Sequence, residues 1–87
     1  MSTIIINDGS LADFLSDDGS VTGRALQQRM KRYCLFIQNR MTGVTVTFGE
    51  TSGTDEIPDD VDPDEWASVS NLAGNSLDVI CDGRRRL

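Results

Sequence analysis

The chain has no histidine and only two cysteines and two prolines among its 87 residues. Without an imidazole there is no base for a Ser-His or Cys-His nucleophile, and no side chain whose unperturbed pKa lies near neutrality. Ordinary hydrolase chemistry is therefore not expected, and neither is a cofactor or a metal. Two cysteines, Cys34 and Cys81, do not make a disulfide framework, because geometry decides pairing. Both lie on apolar segments with no activating base nearby in sequence, so they are expected to pack as small hydrophobes. Long hydrophobic runs are missing too. The longest, Tyr-Cys-Leu-Phe-Ile at residues 33–37, falls far short of the ~20 residues of a bilayer span. The start of the chain lacks a basic region followed by an apolar stretch, so a cytoplasmic location without membrane attachment is the expectation.

What is present is the composition of a soluble globular domain: 38% apolar residues, 25% charged residues and a formal net charge of −6. The length accommodates one modest core and hence a single domain.

The β-branched run Thr3, Ile4, Ile5, Ile6 predicts a short buried strand ended by Asn7, Asp8 and Gly9. Ser10 is placed to cap a brief helix over residues 11–15, and a polar break follows at 16–20. From Thr22, Leu26, Met30, Tyr33, Ile37 and Met41 recur at helical spacing, which predicts one amphipathic helix to residue 41. A competing reading stops this helix near Arg32 and turns residues 33–38 into a strand. Val44, Val46 and Phe48 alternate with threonines, the pattern of a half-buried strand. Residues 49–61 read as a mobile acidic loop. Asp62, Pro63, Asp64 and Glu65 then start a helix with a capping carboxylate, proline at the first position and acids where the helix dipole favours them. Leu77, Val79 and Cys81 suggest a last strand. The expected fold is α/β or α+β in the order β-α-α-β-α-β, with about three strands in one sheet covered by helices.

Charge is sorted along the chain. Arg24, Arg29, Lys31, Arg32 and Arg40 all fall in a stretch, residues 19–49, that holds no acid, and Arg84, Arg85 and Arg86 form a basic tail at 83–87. Eight of the fourteen acids fall between Glu50 and Glu65, where there is no lysine or arginine. Such segregation either settles within the fold or creates surfaces of opposite sign. Asp55, Glu56, Asp59, Asp60, Asp62, Asp64 and Glu65, ending at Trp66, form a candidate acidic partner surface. Arg24, Arg29, Lys31, Arg32 and the three C-terminal arginines form a candidate basic or anion-binding surface. On a helix running to residue 41, Leu35 faces outward and Phe36 lies at the edge, which makes them candidate interface residues.

Two further patterns are weak. Glycines, hydroxyls and Arg24 at residues 19–24 suit an anion at a helix start, but the spacing is not that of a phosphate-binding Walker loop. Asp60, Asp62 and Asp64 have the spacing that opens a calcium loop, but Glu65 stands where that loop needs glycine and Asn71 where it needs a bidentate glutamate.

The function expected from these features is a non-enzymatic protein-binding module with a protein partner, of the kind a phage or other mobile element uses as an inhibitor or adaptor. A small phosphate or nucleotide binder using the basic helix and C-terminal arginines is the first alternative. An oligomeric virion or assembly component, a symmetric oligomer such as a homodimer made through residues 33–37, is the second.

Overall fold

The computed structural model describes residues 2–16, 21–49 and 53–81. Six elements follow in order: β1 (Ser2–Ile6), α1 (Gly9–Leu15), α2 (Gly23–Gln38), β2 (Val44–Phe48), α3 (Pro63–Asn75) and α4 (Leu77–Cys81). The result is an α+β domain in which β1 and β2 form a parallel pair, with Ser2 opposite Val44 and Ile6 opposite Phe48. The two helices α1 and α2 make the crossover that parallel strands require.

The core lies on one face of this sheet. Ile4, Ile6 and Val46 point inward and meet Met30, Tyr33, Cys34 and Ile37 of α2, with Leu15, Val61, Ala73 and Leu77 closing the cluster. Ile4, Ile6 and Ile37 are the largest fully buried side chains, each stabilising the fold by about 1.5–3 kcal/mol relative to exposure. On the opposite face Thr3, Thr45 and Thr47 are exposed, as the alternation in β2 predicts.

Residues 33–37 are helical. Tyr33, Cys34 and Ile37 are buried while Leu35 is 53% exposed, so the run follows the period of a helix and the alternative strand is not formed. The helix ends at Gln38 rather than at residue 41. The N–H groups of Asn39 and Arg40 turn back to the carbonyls of Leu35 and Ile37, and Gly43, at φ +79°, makes the turn into β2. Met41 remains buried from within that turn.

Two expectations are corrected. The cap of α1 is Asp8, not Ser10: the Asp8 carboxylate accepts from the Ser10 backbone N–H at 3.0 Å and from the Ser10 hydroxyl at 2.7 Å. A carboxylate also interacts with the helix dipole, which a neutral hydroxyl does far less. Segment 77–81 is a helix, not a third strand, so two strands are found where about three were expected. Leu77, Ile80 and Cys81 turn inward while Val79 is 58% exposed. A helix buries those three side chains against α2 and satisfies its own backbone, whereas a strand would need a neighbour to pair with.

Candidate functional site

The basic residues of α2 reach different destinations. Arg29 donates to the Leu15 carbonyl at 2.6 Å, closing the C-terminal end of α1. Arg32 donates to the Cys81 carbonyl at 3.2 Å, closing the end of α4. Arg40 donates to the Phe36 carbonyl at 3.2 Å and lays its guanidinium over the Phe36 ring, 3.6 Å from the centroid. Each places a cation where a helix exposes unpaired carbonyls and a negative dipole end. Phe36 is thus half-covered by Arg40, while Leu35 stands open. Arg24 and Lys31 are exposed, and neither has a partner among the described residues. The expected basic surface therefore does not converge on one point. Arg84, Arg85 and Arg86 lie outside the described residues.

The acids mirror this behaviour on N–H and O–H groups. Asp62 caps α3 by accepting from the Asp64 N–H at 2.9 Å, with Pro63 at the first helical position. Asp55 accepts from the Asn7 backbone N–H at 2.9 Å, and Glu56 from the Asn7 side-chain amide at 3.2 Å. Glu56 also forms an antiparallel bridge with Ile5, using both backbone groups. Asp60 accepts from the Ser2 hydroxyl. The described part of the acidic loop is therefore stitched along the outer side of β1, and Val61 and Ile57 are drawn toward the core. Trp66 packs against that core instead of heading an acidic strip. Asp59, Asp64 and Glu65 stay exposed without partners among the described residues. Of the Asp60, Asp62, Asp64 series, Asp60 is committed to a hydroxyl and Asp62 to a helix cap, and no metal-binding group of three is found among the described residues.

Gly49 locks the junction between the strands. Its N–H donates to the Ile6 carbonyl at 3.1 Å. A Cβ there would lie 2.2 Å from Asn7 Oδ1 and 2.6 Å from Ile5 Cγ2, so any larger residue would have to displace the Asn7 and Ile5 side chains.

The two cysteines are free. Burial pushes the Cys34 thiol up to about 12, which leaves it uncharged and unsuited to nucleophilic work at neutral pH. Burial, then the negative charge of Asp55, raises the Tyr33 phenol to about 12 as well.

One concave feature combines an apolar floor with unused backbone. It is an open groove of about 840 Å³ between α2 and β2, floored by Leu26, Met30, Leu35, Val46 and Phe48, with Lys31 as the one charged lining residue among the described residues. Beside it runs the outer edge of β2. The Gly49 N–H and the Gly43 carbonyl face β1, so by strand alternation residues 44, 46 and 48 direct their peptide groups away from it. The side-chain oxygen of Gln38 covers one of them, accepting from the Val46 N–H at 2.9 Å. No second strand pairs with this edge among the described residues.

Leu35 was legible as an outward residue from the helical spacing. The edge of β2 and the role of Gln38 were not, because a strand's place in its sheet depends on tertiary pairing. No family model matches the chain, and no curated protein or solved structure is significantly similar to it. No described helix is long and apolar enough to cross a membrane.

Proposed function

We propose that the protein is a non-enzymatic, cytoplasmic protein-binding module, an inhibitor or adaptor that seats part of another protein between α2 and the outer edge of β2. The observation that carries this reading is the coincidence, on one side of the domain, of an apolar groove, an exposed Leu35 and a strand edge with no neighbouring strand among the described residues. Edge strands expose a ready template for another chain, and apolar pockets beside them give selectivity. The chemistry of the described lining favours packing over catalysis: one cation, mostly aliphatic and aromatic carbon, and a thiol held neutral. The nucleotide-binding alternative is less well supported, because Arg29 and Arg32 are engaged on helix-end carbonyls at two different places.

The test is site-specific photo-crosslinking in extract from cells that naturally express the protein. A photoreactive side chain in place of Leu35 is expected to give one discrete protein adduct, lost when Lys31 is also changed to Glu. The same group in place of Thr45, on the opposite face of the sheet, is expected to give none. Equal labelling from both positions, or a discrete adduct from position 45 alone, would overturn the reading.

A further inference from the structure

We propose that the occupant of this groove is an extended segment of a partner protein that adds a third strand at the outer edge of β2 and turns apolar residues together with an acidic residue toward α2. This rests on the protein-binding reading above and names the chemistry of the partner.

Three observations bear on the occupant. The first is the geometry of the edge. The Val46 carbonyl and the Phe48 amide both face away from β1, two residues apart. That spacing is bridged by a single residue of a parallel neighbour, which donates to one and accepts from the other. Gln38 already covers the Val46 N–H, so the part of the edge left for a partner runs from the Val46 carbonyl toward Gly49, the same stretch that lines the groove. Gln38 thereby leaves a short, directed site in place of a long adhesive edge.

The second is the floor. An extended peptide places alternate side chains on one face of the sheet. On the core side of β2 these meet Leu26, Met30 and Leu35, which accept aliphatic or aromatic groups and offer little to a polar chain.

The third is charge. All the lining residues among the described ones fall within residues 23–49, inside the stretch of sequence without a single acid. Of the five cations in that stretch, three are engaged on carbonyls in the fold. Lys31, at the groove, and Arg24, one residue into α2, have no partner among the described residues. Gly23, the first residue of α2, also lines the groove, and the Thr22 side chain makes no capping bond there. Helix N–H groups and two cations together favour carboxylates on the incoming strand and disfavour basic ones.

The experiment is an NMR titration of the ¹⁵N-labelled full chain, up to millimolar concentration, with three capped heptapeptides in which the outward residues are threonine and the groove-facing residues are valine except for one that is glutamate, threonine or lysine. The glutamate peptide is expected to bind about tenfold tighter than the threonine peptide, the difference one charge-assisted contact makes. Its affinity is expected to fall with added salt, and the largest shifts are expected at Val46, Phe48, Lys31 and Leu35. Proline at an outward threonine in the middle of the peptide, the position opposite Thr47, is expected to abolish binding, because it removes the amide that pairs with the edge. The Lys31→Glu variant is expected to reverse the order of the glutamate and lysine peptides.

Equal binding of all three peptides, a preference for the lysine peptide, or indifference to the central proline would overturn this inference while leaving a protein-binding groove. Shifts that appear without peptide as protein concentration rises would assign the groove to a second copy of the chain and overturn it as well. Absence of any groove shift with all three peptides would remove both the inference and the reading beneath it.

Discussion

The cationic helix α2 and the acidic segment 55–65 carry opposite charge, yet the fold uses them in the same way. Acids accept from N–H and O–H groups at the start of α3 and along β1. Arginines donate to carbonyls at the ends of α1, α2 and α4. Each sign goes to the backbone ends that its charge complements, so the segregation seen along the chain is largely a record of which ends each segment lies beside. The remainder differs between the two regions. On the acidic side, Asp59, Asp64 and Glu65 stand over exposed loop and helix surface. On the basic side, Lys31 stands beside an apolar groove and an open strand edge. Free charge next to buried carbon and unpaired backbone can discriminate partners, and free charge over open surface mainly keeps the protein in solution.

The largest effect that probes this account is on pH. Tyr33 and Cys34 are neighbours in the core, and both are raised to about 12, from ordinary values near 10 and 9. A raised folded-state pKa means that the stabilisation is complete below the unfolded values and is lost as pH climbs through the folded ones. The fold is expected to hold to about pH 9 and to unfold progressively toward pH 12, followed by far-UV circular dichroism. Stability that stays flat across that window would show that neither group is held neutral by the core.

Next comes the contrast within α2. Arg29→Gln removes a partly buried, charge-assisted bond to the Leu15 carbonyl and is expected to cost about 1–3 kcal/mol in urea unfolding. Lys31→Gln changes an exposed side chain and is expected to stay within about 0.5 kcal/mol of the parent. Equal losses would erase the division between arginines that close helices and cations that do not.

The acidic counterpart is smaller. Asp62→Ala removes the α3 cap, at an expected cost of about 1 kcal/mol, while Asp59→Ala is expected to cost under about 0.5 kcal/mol. Thermal melts of the pair give the order, and a reversed order would contradict the capping role.

How far this was legible beforehand depends on the range of the interaction. The helix from Gly23 to Gln38 and strand β2 follow from periodicity, which any segment burying one side must show. The α3 cap follows from Asp62 and Pro63, a purely local signal. Segment 77–81 misled because four of its five residues are apolar, and so short a run fits either period until α2 and Arg32 supply what it packs against. Ser10 directly precedes the apolar residues and so carries the local signal of a cap, whereas the cap is Asp8, two residues earlier, which accepts from the Ser10 N–H itself. At the groove, the acid-free stretch and the outward Leu35 were visible, but the link between Gln38 and Val46 depends on how the 39–43 turn folds back and has no local signature.

The most direct test of this division of labour measures stability and binding together on two substitutions in one helix. Arg29→Gln and Lys31→Gln are each followed by urea unfolding and by affinity for the peptide with the groove-facing glutamate. The account predicts that Arg29→Gln lowers stability and leaves the affinity of the folded protein unchanged, while Lys31→Gln keeps stability and weakens binding severalfold. Loss of both properties in either variant, or of binding in Arg29→Gln alone, would contradict it.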